Sequence, residues 1–309
     1  MRDPFAPPAS VARVFKPVAN YLGLSTLPLH VHEIVLSFVV YEILFKVASP
    51  VLSRHFWPKT YNAFNRRTRI NWDSRVTSQI QQAVILSLVI YTILTDPERT
   101  GTTWQTRLWG YNGITGLVQA LAAGYFLWDV HISSVHMDVM GADSLAHATG
   151  WLLITLIGFR PFANYYGLNF MLYELSTPFL NNHWFFDKLG MTGSQAQWIN
   201  GITLIVSFAC ARLIWGSQQS LLLYKDFWDA WHYTVPAGAT CETLSISGVE
   251  IPVGCRKLPA WLAIMYVGGT TVLSILNFWW FGKMIEAVQK RFKPKAEGDK
   301  GNGDTKKDN

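Results

Sequence analysis

Across residues 124–181 the chain sets Asp129, His147, Arg160 and Glu174 within or beside stretches that are otherwise apolar. Carboxylates and an imidazole can take up, hold and release protons, the elementary acts of general acid–base chemistry. If those stretches lie in lipid, each charge near the bilayer centre costs at least about 2.5 kcal/mol, so such groups mark a functional site by default. Further polar side chains recur at helical spacing: Arg75, Ser78 and Gln82 at i, i+3 and i+7, and Glu174, Thr177 and Asn181 on one face. Asn200 opens another apolar run, and His131 and His136 follow Asp129 closely.

The elements that position these groups read as membrane helices. Half of the 309 residues are hydrophobic. Apolar runs at 34–52, 84–94, 113–128, 145–159, 165–180, 199–214 and 261–281 approach the length needed to cross about 30 Å of hydrocarbon as a helix. The fold class is therefore all-α, a bundle of about seven transmembrane helices around a central cavity. The fourth and fifth runs are short and meet at Arg160-Pro161. Many of the 14 tryptophans, among them Trp57, Trp72, Trp109, Trp184, Trp198, Trp215, Trp261 and Trp280, fall near run ends, as an interfacial belt requires. Three parts follow: an N-terminal segment, 1–31; a membrane domain, 32–287; and a basic tail, 288–309, too polar to bury a core and expected to stay disordered.

Basic residues set the orientation. Arg54, Lys59, Arg66, Arg67 and Arg69 crowd the first connection, and Lys290, Arg291, Lys293, Lys295, Lys300, Lys306 and Lys307 crowd the tail. Both belong on the cytosolic side, and an odd number of spans satisfies both, leaving the N-terminus lumenal despite Arg2, Arg13 and Lys16. No apolar leader precedes the first span. Cys241 and Cys255 then share a lumenal loop where a disulfide can form, while Cys210 sits inside a span as a packing residue. Lys306-Lys307 matches a dilysine retrieval signal, an address read by a coat-type receptor in the cytosol, and places the chain in the endoplasmic reticulum. The net charge of +6 reflects this loop asymmetry and attraction to anionic lipid, not nucleic-acid binding.

Alternating span directions bring Arg75, Ser78, Asp129, His147, Glu174, Thr177, Asn181 and Asn200 to one level in the cytosolic half, with Arg75 as the cation to pair with Asp129 or Glu174. Plainer readings stand beside this. Arg75 can snorkel from a helix end, Asp129 can flank its helix, and Asn200 can serve only to bond neighbouring helices. No zinc-ligand spacing, HExxH, phosphate loop or G-x-S-x-G elbow occurs, so neither a metal nor a cofactor is expected.

The segments Trp72-Asp73-Ser74-Arg75-Val76-Thr77-Ser78, Gly124-Tyr125-Phe126-Leu127-Trp128-Asp129 and Glu174-Leu175-Ser176-Thr177-Pro178-Phe179-Leu180-Asn181, with His136, His147 and Trp184-Phe185-Phe186, resemble the TLC-domain membrane proteins. The likeness spans roughly residues 70–285 and is nearest the branch of TLC-domain-containing proteins formerly called transmembrane protein 56, with a fungal cast. It implies a multi-pass protein of the endoplasmic reticulum that accommodates lipid in an intramembrane cavity and serves lipid homeostasis or sphingolipid synthesis. Ceramide synthases in this family N-acylate sphingoid bases from acyl-CoA, using adjacent histidines and a His-Asp pair. Here Ala148 follows His147 and no such pair follows downstream. The resemblance therefore leaves two expectations. In one, Arg75, Ser78, His136, Thr177, Asn181 and Asn200 hold a lipid headgroup without covalent chemistry. In the other, acyl-CoA is a co-substrate and His147 acts as base or acyl carrier, assisted by Asp129 or Glu174.

Overall fold

The computed structural model describes residues 3–5, 7–234, 242–246, 249–253 and 257–292. Cys241, Cys255 and the tail bearing Lys306 and Lys307 lie outside the described residues. An N-terminal helix, α1 (Ala9–Leu22), ends where Gly23 turns left-handed at φ 68° and donates its N–H back to the last turn. The first long rod, Leu27–Phe56, comprises α2 (Leu27–Ile43), a π-helical turn (Leu44–Ala48) and α3 (Ser49–Phe56). Pro58 then starts the short α4 (Pro58–Ala63).

The second rod, α5 (Arg66–Thr95), begins where the Asn65 side chain accepts from the N–H of Thr68 at 2.8 Å, satisfying one of its open donors. Its cap lies well before the apolar run at 84–94, so Arg75, Ser78 and Gln82 sit inside the helix. After a 3₁₀ turn (Pro97–Arg99) and α6 (Trp104–Trp109) comes α7 (Gly113–Val135), the most enclosed helix of the bundle. Then follow α8 (Met137–Met140), α9 (Ala142–Ile157), α10 (Asn164–Met171), a 3₁₀ turn (Leu172–Ser176) and α11 (Thr177–Lys188). A third rod, Gln195–His232, joins α12 (Gln195–Phe208), a π-helical turn (Ala209–Trp215) and α13 (Gly216–His232). A small antiparallel hairpin, β1 (Glu242–Ile246) with β2 (Val249–Val253), precedes the last helix, α14 (Ala260–Phe292).

Among the described residues, four helices are long and apolar enough to cross a membrane: Leu27–Phe56, Arg66–Thr95, Gln195–His232 and Ala260–Gln289. At 1.5 Å per residue, a 30-residue rod reaches about 45 Å, beyond the hydrocarbon thickness. The remaining expected spans map onto α7, the shorter α9, and the composite of α10, 3₁₀ turn and α11. The fifth apolar run is thus not one helix. Pro178 lacks the N–H that would bond the carbonyl four residues back, and the chain tightens through Leu172–Ser176 before resuming as α11.

Packing shows α2, α5 and α7 alternating in direction. His30 on α2 meets Tyr111, and further along Tyr41 and Phe45 pack on Tyr125 and Trp128 of α7, so these two helices run parallel. Between them Gly124 is essential, since a Cβ there would stand 2.5 Å from the Ile34 carbonyl oxygen. Ser37 uses that proximity, its hydroxyl donating to the Leu121 carbonyl at 2.9 Å. Antiparallel to both, α5 packs Ile85 and Val89 on Val118 and Ala122. At one end Asp73 accepts from the hydroxyls of Ser49 (2.6 Å) and Tyr61 (2.8 Å), and the Trp72 indole donates to Ser53 at 2.8 Å. This pair binds α3 and α4 to α5. Near the opposite end, fully buried Asp226 on α13 takes both Arg107 Nε (2.6 Å) and Nη2 (2.5 Å) and accepts from the Tyr166 hydroxyl, clamping α6 and α10 to the third rod.

Gly124→Ala will lower the thermal midpoint in detergent, overpacking here costing about 1–3 kcal/mol. Gly150→Ala, on α9 with nothing within 4 Å of its added Cβ, will leave the midpoint unchanged or raise it.

Candidate functional site

Glu174 lies on the 3₁₀ turn that replaces helix ahead of Pro178, and Thr177 Oγ1 donates to its Oε2 at 2.7 Å. The turn aims this carboxylate back toward α7, where Asp129 and Ser133 stand one helical turn apart. Asp129 and Glu174 are close enough to repel one another electrostatically. From α9, His147 faces the same Glu174, with Trp151 one turn on at 6.3 Å between ring centroids. The imidazole is exposed on α9.

The cation of the group is Arg212. It projects from the π-helical turn Ala209–Trp215, whose wider winding shifts the register of the third rod. Its Nε donates to the Tyr173 carbonyl at 3.0 Å and its Nη1 reaches Asn277 Oδ1 of α14 at 3.4 Å. The guanidinium also lies 5.1 Å from the centre of the Phe208 ring. Its charge interacts with Glu174 and His147, yet among the described residues it forms no ion pair within 4.0 Å. Tyr173 is seated by the absence of a side chain at Gly216, where a Cβ would come 2.3 Å from the tyrosine oxygen. Asp129, His147 and Arg212, each from a different segment, thus lie within electrostatic range of Glu174.

Beside this group runs a network between α5 and α11. Arg75 Nη1 donates to Asn181 Oδ1 at 2.9 Å and its guanidinium stands 4.9 Å from the Trp184 ring centre. Asn181 Nδ2 in turn donates to Ser78 at 3.3 Å. Arg75 therefore meets an amide and an indole instead of the expected Asp129 or Glu174, because α11 places Asn181 and Trp184 directly over it. Tyr125 interacts with Ser78, Asp129 and Glu174 and so joins the two groups. Asn200 Nδ2 donates to the Phe179 carbonyl at 2.8 Å, knitting α12 to α11.

Three residues singled out in the sequence stand elsewhere. His136 closes the C-terminal end of α7, 6.1 Å from the Phe45 ring and in the field of Arg66, Asp138 and Lys46. Arg160 lies at the other end, over the Trp261 ring at 5.2 Å and beside Gly23. His131 pairs with Glu42 at 3.0 Å on the flank of α2 and α7. Arg212 had no place in the sequence reading, although an arginine inside the apolar run Ile205-Val206-Ser207-Phe208-Ala209-Cys210-Ala211-Arg212-Leu213-Ile214 is the same kind of signal as Glu174.

A profile described as the TLC domain matches residues 71–286, which contain all four converging side chains. An uncharacterised TLC domain-containing protein of Schizosaccharomyces pombe is 35% identical over 293 residues, covering 95% of this chain and 89% of its own length. Topoisomerase I damage affected protein 4 of Saccharomyces cerevisiae is 28% identical over 271 residues, 86% of each chain. Human TLC domain-containing protein 4 is 26% identical over 258 residues, 82% of this chain and 88% of its own.

A double-mutant cycle tests the assignment of the cation. Glu174→Gln with Arg212→Met will show a coupling of about 0.5–3 kcal/mol in unfolding free energy, whereas Glu174→Gln with Arg75→Met will add to within about 0.5 kcal/mol.

Proposed function

The chain belongs to the TLC-domain family, and on that premise we propose that it binds or handles a membrane lipid in the space bounded by α7, α9, the 3₁₀ turn before α11 and the third rod. TLC-domain proteins are membrane proteins, generally of lipid metabolism or homeostasis. One observation carries the reading: Arg212 is bonded to the Tyr173 carbonyl beside Glu174, yet among the described residues it makes no contact ion pair with that carboxylate. Opposite charges without a direct contact in a low-dielectric setting favour a group that completes both. A zwitterionic or amino-alcohol headgroup does so, its anion or hydroxyl toward Arg212 and its amine toward Glu174 and Asp129. The apolar faces of α9, α12 and α14 then take the chains.

A second reading, acyl transfer from acyl-CoA with His147 as base or acyl acceptor, is supported by the exposure of that imidazole. Such a base needs a partner to orient its other ring nitrogen. Among the described residues His147 has Trp151, Glu174 and Arg212 around it but no hydrogen bond to fix the tautomer. Lipid binding without covalent chemistry is accordingly the preferred function.

The orientation belongs to the same proposal. The corner bearing Arg54, Lys59, Arg66, Arg67 and Arg69 shares an end of the bundle with the C-terminus of α14, and the start of α2 lies at the other. We assign the basic end to the cytosol and the protein to the endoplasmic-reticulum membrane. The hairpin pairing Glu242 with Val253 then falls in the lumen and supports a Cys241–Cys255 bond.

Purification in mild detergent followed by lipid mass spectrometry will recover one enriched lipid class with the native chain, reduced severalfold for Arg212→Met and Glu174→Gln and unaffected by His131→Ala. Equal lipid content in all four proteins would remove the binding reading. Acyl-CoA consumption abolished by His147→Ala would instead favour transfer. Peptide mapping without reductant will show Cys241 and Cys255 joined, and free thiols at both would count against the lumenal assignment.

A further inference from the structure

At the opposite end of α7 from Asp129 lies a second polar group that the lipid reading does not use. His30 and Glu33, one turn apart near the start of α2, are 0% and 3% exposed, and the N-terminal segment folds back to set Asp3 against them. One ligand atom from each of the three lies within 4.8 Å of the others. His30 Nδ1 is 3.4 Å from Asp3 Oδ2 and 2.7 Å from Glu33 Oε2. On the far side of the ring, Nε2 meets the Tyr111 hydroxyl at 2.8 Å. Gly116 makes space for the imidazole, since a Cβ there would stand 2.4 Å from Nε2. Glu33 Oε1 is buried without a hydrogen-bond partner, the nearby His32 Nε2 being 4.0 Å away.

Two carboxylates and one imidazole converge in this buried site, where uncompensated negative charge is costly. A divalent cation can replace the protons that offset that charge and gives the orphaned Glu33 oxygen a partner. We propose that Asp3, His30 and Glu33 form a binding site for a divalent metal ion, Zn²⁺ first among them. Nitrogen and oxygen donors at about 2.0–2.2 Å from a tetrahedral ion stand about 3.3 Å apart, close to the separation of Asp3 from His30, and the shorter His30–Glu33 contact opens slightly as the ion replaces the shared proton. With Nδ1 on the metal, Nε2–H donates to Tyr111, the outer partner that fixes the tautomer of a ligating histidine. Three protein ligands leave a fourth position for water. The ion would pin the N-terminal segment across the mouth of α2 and α7, at the end of the bundle remote from Arg212.

Isothermal titration of the full chain in detergent with zinc chloride tests this. One Zn²⁺ per chain is expected, with His30→Ala abolishing that binding and the nearly isosteric Glu33→Gln weakening it at least tenfold while the protein stays monodisperse. Tyr111→Phe will weaken it about tenfold. His131→Ala, at the other end, will leave it unchanged. Zinc binding of equal affinity in the native chain and Glu33→Gln, or none in the native chain, would overturn the assignment.

Discussion

A guanidinium inside an apolar bundle has to be satisfied by protein, and the way Arg212 is satisfied organises the centre of this structure. Its donors reach the Tyr173 carbonyl and the Asn277 amide, drawing together the 3₁₀ turn before α11, the third rod and α14. Both contacts depend on departures from regular helix. The Tyr173 carbonyl points outward because Leu172–Ser176 is wound as 3₁₀, and Arg212 points inward from a π-helical turn. Irregular backbone is tolerated at membrane depth only where protein or a cavity takes up the freed groups, and here the arginine takes up one of them. The same irregularity presents Glu174 to Asp129 and His147. Charge satisfaction and site formation are therefore one arrangement.

Around that centre the bundle is held by contacts of different kinds at its two ends. Hydroxyl and indole bonds onto Asp73 and Ser53 tie the basic corner, and the Arg107–Asp226 pair with Tyr166 ties the other. Hydrophobic burial alone discriminates poorly between helix partners in lipid, where every helix is equally apolar, so polar bonds and small residues such as Gly124 specify which faces meet. α9 packs chiefly on α7, where Gln119 donates to the Thr155 carbonyl at 2.7 Å, and leaves His147 exposed.

Much of this was legible in the residues. Apolar run lengths and Trp placement give the helical membrane bundle, and alternation of direction is the ground for expecting Asp129, His147 and Glu174 at one level. Pro178 marked the break that aims Glu174. What escaped did so for physical reasons. Arg212 was hidden because ten neighbouring residues describe a span so well that a single charge within it drew no notice. The partner of Arg75 depends on the rotation of α11, which periodicity alone leaves undetermined, since an amide and an indole can serve a guanidinium as well as a carboxylate does. Asp3 meets His30 only because α1 folds back after Gly23, a contact between segments that no local pattern encodes.

The matched family region begins at residue 71, yet the rod Leu27–Phe56 is threaded into that region's own interior. Ser37 bonds the backbone of α7, the Tyr41 hydroxyl donates to Gln81, Ser49 completes Asp73, and Gly124 is shaped to the carbonyl of Ile34. The family profile and the folded unit consequently have different borders in this chain. The leading helix is therefore part of the folded unit, and its removal would strip α5 and α7 of partners that the profile region cannot itself supply.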